Sequence, residues 1–298
     1  MREVITILLN AKAGAGRGRE LRAELAALFD AAKVQVHIVS PLSAAAAADA
    51  ARAAVASGAA AVVAIGGDGT ISGIAAALVG SDTALGVIPA GTLNHFAKDL
   101  GIPLDLPGAV STIAAGHVTT VDVGAVNDRI FVNNSSIGIY PDIVLARDEL
   151  RREGHRKWVA MLVATTKILR RYRGVAVRIT GGTTTQSVRT PFLFIGNNEY
   201  QVGGPGLGAR SSLAGGRLFA YLAPRLRPRD LPKLLAWALL GRAAAHGALE
   251  SFAEPEFHVE TPRHRRLRVA LDGEVTHLDA PLRYRVLPRA LKVIVPAA

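Results

Sequence analysis

The stretch Ala61-Val62-Val63-Ala64-Ile65-Gly66-Gly67-Asp68-Gly69-Thr70-Ile71 decides the fold. Its first five residues are apolar without alternation, as in a strand covered on both faces of a parallel sheet. A glycine doublet follows at once, and from Ile71 to Val79 apolar residues recur at helical spacing. Strand, tight turn and helix make one βα unit. The same alternation continues in both directions. Upstream lie a strand at Val4–Leu9, a helix at Arg19–Phe29, a strand at Val34–Val39 and an Ala-rich helix at Ser43–Ser57. Downstream lie a strand at Ala84–Ile88, a short helix running to Leu100, and helical turns at Val110–Ala115. This pattern predicts a parallel sheet with helices on both faces, whose ligands sit at the carboxyl ends of the strands.

Past about residue 120 the pattern changes. Short β-type runs dominate: Ile130–Asn133, Val175–Thr180, Phe192–Ile195, Leu218–Leu222, Phe257–Glu260, Leu267–Leu271, Tyr284–Leu287 and Leu291–Val295. Turn residues separate many of them, which predicts a β-sandwich or layered antiparallel domain. Two helices interrupt it, at about Asp142–Arg171 and Arg229–Ala245.

Composition narrows the chemistry. The chain has 298 residues, half of them hydrophobic and 20% charged, so it can bury one large core or two medium ones. There is no cysteine, which excludes disulfides, iron–sulfur clusters, Cys-based zinc sites and thiol nucleophiles. The eight histidines form no HExxH pair. The first ten residues do not read as a signal peptide, and no apolar run is long enough to predict a membrane span. The net charge of +11 is uneven: residues 1–125 carry 8 Lys/Arg against 10 Asp/Glu, and residues 126–298 carry 27 against 14. The basic half has two readings, an anionic partner or Arg-rich solvated faces.

Four segments carry candidate chemistry. In Gly66 to Thr70, glycines let backbone N–H groups approach a phosphate, and the following helix N-terminus adds partial positive charge. Asp68 would repel phosphate unless it holds a cation that bridges the phosphates. The alternative is a tight turn in which Asp68 or Thr70 caps the helix. Asn10-Ala11-Lys12-Ala13-Gly14-Ala15-Gly16-Arg17-Gly18 is a second glycine loop at a strand end. It is neither a dinucleotide fingerprint nor a P-loop. Gly91-Thr92-Leu93-Asn94-His95 opens a helix, where Thr92 or Asn94 either caps it or binds a nucleotide. Leu271-Asp272-Gly273-Glu274 is either a plain turn or a base, Asp272, with Glu274 positioning it or a metal.

Taken in order, Asn10-x-x-x-Gly14, Gly66-Gly67-Asp68-Gly69-Thr70, Gly91-Thr92-x-Asn94, Asp122-Val123-Gly124 and Leu271-Asp272-Gly273-Glu274 resemble the diacylglycerol kinase catalytic domain family, which includes bacterial lipid kinases and sphingosine kinases. NAD kinases and phosphofructokinases are similar at Gly-Gly-Asp-Gly. The resemblance implies an α/β nucleotide domain with a Rossmann-like parallel sheet at 1–122, to which residues 290–298 return, and a C-terminal β-sandwich lipid domain at 123–289. It implies ATP and Mg2+ as cofactors. Asn10, Ser40, Gly66, Gly67, Asp68, Gly69, Thr70 and Thr92 match nucleotide-binding positions, Asp68 and Asp122 a metal–water network, Asp272 the catalytic base and Glu274 its companion acid. The implied activity is transfer of the γ-phosphate of ATP to the hydroxyl of a diacylglycerol-like lipid.

Two departures stand out. The family usually has Asp where this chain has His95, and Ala214-Gly215-Gly216 carries no acid where the family usually holds a structural magnesium ion. They motivate a rival reading, a non-catalytic lipid- or nucleotide-binding relative. A second rival is a soluble-substrate kinase such as an NAD kinase.

A lipid kinase without a span must reach its substrate from the aqueous side, and the expected location is cytoplasmic with peripheral membrane association. Two segments suit peripheral attachment to an anionic membrane surface: 225–242, a basic start before a Leu-rich helix with Trp237, and 147–173, rich in Arg and Lys around Trp158. Their alternative role is packing on the sandwich. Aromatic residues are too few for a nucleic-acid stacking platform. An edge strand of the sandwich is a candidate for homodimer pairing.

Overall fold

The computed structural model describes residues 4–9, 18–152, 174–182, 184–202, 208–224, 230, 249–262 and 265–297. The chain divides into two compact units, residues 1–123 with 288–298, and residues 124–287.

The first unit begins with β1 (Ile5–Leu9), α1 (Gly18–Ala31), β2 (Val36–Val39), α2 (Ala44–Ala56), β3 (Ala61–Gly66), α3 (Asp68–Leu78) and β4 (Ala84–Pro89). Then come α4 (His95–Asp99), α5 (Leu106–Ala115) and β5 (Val118–Val126), whose last three residues belong to the second unit. The sheet order is β2-β1-β3-β4, and every neighbouring pair is parallel. Every residue of β3 and β4 is buried, as the unbroken apolar runs require. Ser43 caps α2 by accepting a hydrogen bond from the Ala46 N–H, and Asp105 caps α5 by accepting one from the Gly108 N–H. Gly116 closes α5 in the left-handed region, φ 69°.

The second unit has two antiparallel sheets. One has the order β12 (Glu250–Glu254), β11 (Leu218–Leu222), β10 (Phe192–Asn197), β7 (Asn134–Gly138), β14 (Arg266–Leu271) and β15 (Glu274–Asp279). The other runs from β16 (Leu282–Ile294) through β13 (Glu256–Glu260) and β8 (Val175–Gly181) to β9 (Thr184–Thr190). The end of β5 pairs with β6 (Arg129–Phe131), and α6 (Ile139–Arg152) follows β7. The core lies between these sheets. Leu193, Ile195, Leu218, Ala220, Leu222 and Val269 from the first pack with Val177, Ile179, Phe257, Val259, Leu282 and Tyr284 from the second. Alternation along β11 puts Leu218, Ala220 and Leu222 in this core and Phe219 and Tyr221 on the opposite face.

Several expectations change at the level of elements. Tyr284–Leu287 and Leu291–Val295 belong to one strand, β16, which continues through Pro288 with Arg289 in the left-handed region at φ 50°. From Pro288 onward β16 belongs to the first unit, where Val293 pairs in parallel with Leu85 of β4. Strands β7, β9, β12 and β15 carry too few consecutive β-formers to be read in advance, whereas β5 is missing from the sequence reading although Val118 to Val121 are all β-formers. Of the two interrupting helices, α6 covers the start of the first; residues 153–173, 225–229 and 231–248 lie outside the described residues.

Candidate active site

In the first unit, the loops after β3 and β4 are built against each other. Gly66 pairs with Pro89, and the Ala90 N–H donates to the Gly66 carbonyl at 2.9 Å. The backbones then touch at two glycines. A Cβ on Gly91 would stand 2.6 Å from the Gly67 Cα and 2.7 Å from the Asn94 Oδ1, so only glycine fits. Gly66 is held to glycine by its own helix, since a Cβ there would meet the Thr70 side chain at 2.7 Å.

The capping roles differ from the sequence expectation. Helix α3 starts at Asp68 with Gly67 as its N-cap, so Thr70 lies inside the first turn and does not cap it. Asp68 is instead turned to a second helix: its Oδ1 accepts the Phe96 N–H of α4 at 3.2 Å. Asn94, at φ 51°, makes no side-chain cap. Its amide folds back on the loop, accepting the Gly91 N–H at 2.9 Å and donating to the Gly91 carbonyl at 3.1 Å. Thus Asp68 orients α4, and Asn94 shapes the three-residue loop that presents Thr92. Thr92 and His95 are exposed, as is Ser40 immediately after β2. Ser40, Gly66 to Thr70 and Thr92 therefore all lie at or just beyond carboxyl ends of parallel strands. Asn10 lies outside the described residues.

Asp122 is 1% exposed on β5, and its Oδ1 accepts the Arg289 N–H at 2.8 Å. Among the described residues, no three His, Asp or Glu side chains converge to hold a metal ion. An all-protein cage for magnesium thus does not fit. An ion carried by nucleotide phosphates does, because magnesium needs only one or two protein carboxylates beside phosphate and water, and Asp68 supplies one at the glycine loops.

In the second unit, Asp272 follows β14 at φ 48°. Its carboxylate accepts three backbone N–H groups: Val132 on Oδ2 at 2.9 Å, and Asn133 at 2.8 Å and Asn134 at 2.9 Å on Oδ1. Its own N–H donates to the Asn134 carbonyl at 2.9 Å. Glu274 is exposed at the first position of β15. At the stretch without acids, the Asn198 Oδ1 accepts the Gly215 N–H at 2.9 Å.

Sequence reasoning missed the polar groups around Asp272. Arg210, 7% exposed, donates to the carbonyls of Val132 at 2.8 Å and Asn197 at 3.2 Å and to the Asn133 Oδ1 at 2.7 Å. Asn197 donates from Nδ2 to the Val132 carbonyl at 2.9 Å. The one available signal was Asn197-Asn198 closing the apolar strand β10, since buried amides at a strand end need partners.

Residues 4–126 match the family model of the diacylglycerol kinase catalytic domain. Over 80 residues the chain is 46% identical to "Probable lipid kinase YegS-like" of Klebsiella pneumoniae, covering 26% of this chain and 27% of that one. Over 79 residues it is 40% identical to a diacylglycerol kinase of Staphylococcus epidermidis, covering 26% and 25%. The chain thus spans about a quarter of the length of these relatives. A diacylglycerol kinase structure from Bacillus anthracis superposes with a TM-score of 0.73 over 99% of this chain and 97% of that one, at 20% identity. A second structure from that organism gives 0.79 over 99% and 95%, at 22%. At such identities the likeness is one of fold.

Proposed function

We propose, for a chain whose residues 4–126 match the family model of the diacylglycerol kinase catalytic domain, ATP-dependent transfer of the γ-phosphate to the hydroxyl of a diacylglycerol-like lipid. The observation that carries this reading is the backbone contact of Gly67 with Gly91. It joins two strand-end loops at the start of α3, whose N-terminal N–H groups and partial positive charge suit a polyphosphate.

In this reading Gly66 to Thr70, Thr92 and Ser40 bind and orient the nucleotide, and Asn10 joins them from the preceding glycine loop. Magnesium, when bound with the nucleotide, neutralises charge developing on the transferred phosphoryl group. Asp68 orients α4 and offers carboxylate to that ion, while Asp122 holds β16 in place at Arg289. Asp272 accepts the proton of the attacking hydroxyl, with Glu274 as companion acid. Positioning and charge neutralisation supply most of the acceleration, because phosphoryl transfer needs little covalent help from the protein.

One observation favours a second reading. The Asp272 carboxylate already accepts three backbone N–H groups and so has a structural role in holding segment 132–134, which a non-catalytic binding protein would keep. Transfer of labelled γ-phosphate from ATP across a panel of diacylglycerol, monoacylglycerol, phosphatidylglycerol, sphingoid bases and NAD, with magnesium and manganese compared, separates the readings. Label on an acylglycerol supports the lipid kinase. Label on NAD alone establishes a soluble-substrate kinase. ATP binding with no transfer under either metal establishes the non-catalytic relative.

Among the described residues no helix is long and apolar enough to cross a membrane. Peripheral docking on anionic bilayers remains part of the proposal, resting on the net charge of +11 concentrated after residue 125. Sedimentation with anionic vesicles at low salt, lost at high salt, is the expected result. Equal binding to neutral vesicles refutes electrostatic docking.

A further inference from the structure

The segment 132–134, between β6 and β7, is gripped from two sides. A trans peptide points its carbonyl and its N–H in opposite directions. The peptide joining Val132 to Asn133 has its carbonyl on the Arg210 guanidinium and the Asn197 Nδ2, and its N–H on the Asp272 Oδ1. The peptide joining Asn133 to Asn134 has its carbonyl on the Asn197 N–H at 2.9 Å, and its N–H on the same carboxylate oxygen. Two peptide planes thus connect Arg210 and Asn197 to Asp272.

Arg210 is itself firmly seated. Its guanidinium lies 5.5 Å from the centre of the Tyr200 ring, and its backbone bridges to Tyr200. The planar fork reaches the Val132 and Asn197 carbonyls and the Asn133 side chain together. A lysine in its place would be a single point charge.

From this arrangement we infer that Arg210 is a positioning residue for Asp272, acting through the peptide between Val132 and Asn133. A cation on a carbonyl polarises the amide and makes its N–H a stronger donor. The guanidinium therefore tightens the hold of Asn133 on Oδ1 and keeps the carboxylate in one orientation. The inference rests on the reading of Asp272 as the base of a lipid kinase.

The test compares the full-length protein with Arg210→Met, Arg210→Lys and Val177→Ala. The last is a core truncation on β8, remote from segment 132–134 in sequence, that lowers stability without touching this network. Each is assayed for γ-phosphate transfer to diacylglycerol below its own melting temperature, and the amide proton of Asn133 is followed by NMR. The expected result is a kcat lower by about 10- to 100-fold in Arg210→Met, as for a misplaced catalytic group. The KM for ATP should stay within about twofold, with Arg210→Lys intermediate. The Asn133 amide proton should move upfield in Arg210→Met as its hydrogen bond weakens. Unchanged kcat in Arg210→Met, or an equal loss in Val177→Ala, overturns the inference, as does an unmoved Asn133 resonance. If Arg210→Met does not fold, Arg210→Lys decides by the same two readouts. Absence of transfer by the unaltered protein would count against the kinase reading instead, and the Asn133 resonance would then decide the Arg210–Asp272 coupling alone.

Discussion

Single atoms decide the two loops of the first unit. A methyl group on Gly91 has no room against Gly67 and Asn94, and the obstacle at Gly67 is backbone. Gly91→Ala should therefore cost about 1–3 kcal/mol, as overpacking does, and should weaken ATP binding by prising the loops apart. Thermal melting and calorimetric titration with ATP check it; unchanged melting and affinity would show that the loops do not depend on this contact. The Asp272 carboxylate accepts three backbone N–H groups. Asp272→Asn keeps the size, and Asn tolerates the φ of 48°. Yet its amide turns an N–H2 group toward backbone N–H groups that donate to the carboxylate oxygens of Asp272. The variant should lose about 1–3 kcal/mol of stability along with turnover lower by about 10²–10⁴-fold. Lost turnover with an unshifted melting curve would mean that the three-donor cradle is not what orders segment 132–134.

Elements are set by their caps and by what lies across from them. α5 is stopped and started by local chemistry, Asp105 accepting the Gly108 N–H at 2.8 Å at one end and Gly116 in the left-handed region at the other. Asp105→Ala should cost about 0.5–2 kcal/mol in chemical denaturation, with no effect on ATP affinity, because the cap is exposed and serves only its own helix. A loss of ATP affinity would tie α5 to the nucleotide. The start of α4 follows a different rule. Its donor Phe96 is satisfied by Asp68, 28 residues earlier in the chain. Local chemistry therefore fixes both ends of α5, although the sequence reading places its turns only from Val110, and the cap of α4 is misassigned. Gly124 in the Asp-Val-Gly motif is explained across strands. Its partner in β6 is Phe131, whose ring would lie 2.2 Å from a Cβ at that position.

Across the whole chain, buried phenols make the fold sensitive to alkali. Burial pushes the Tyr221 hydroxyl up to about 12, although the Tyr200 backbone partly opposes this, and burial raises Tyr284 too, against its 3.0 Å bond to Ser135. For such groups the folded state favours the neutral phenol, while the unfolded chain ionises near 10. Their contribution is therefore complete below about pH 10 and is lost as the pH rises through the folded value. Circular dichroism and tyrosinate absorbance, followed from pH 9 to 12, should show late-titrating phenols ionising together with unfolding. Titration of all five tyrosines near 10 in an intact fold would contradict it.

What the sequence determined by itself is what short-range physics encodes. Unbroken apolar runs made β3 and β4 legible as strands buried on both faces, and glycine after a strand marked the loops at Gly66 and Gly91. Short β-type runs bounded by turn residues marked β11 and β14 as strands. The ordered motifs by themselves carry the resemblance to the diacylglycerol kinase catalytic domain family. Tertiary structure alone decided the partners. Asp68 serves α4 rather than its own helix, Asp122 secures Arg289 across 167 positions, and Asp272 gathers the N–H groups of 132–134 from about 140 positions away. β16 was read as two strands because Pro288 and Arg289 break the local β pattern. It is one strand because Val293 pairs with β4 and Asp122 accepts the Arg289 N–H. Arg210 looked like one more basic residue in a basic half. Its position at 7% exposure on two carbonyls follows from where three distant segments meet, and no local pattern carries that.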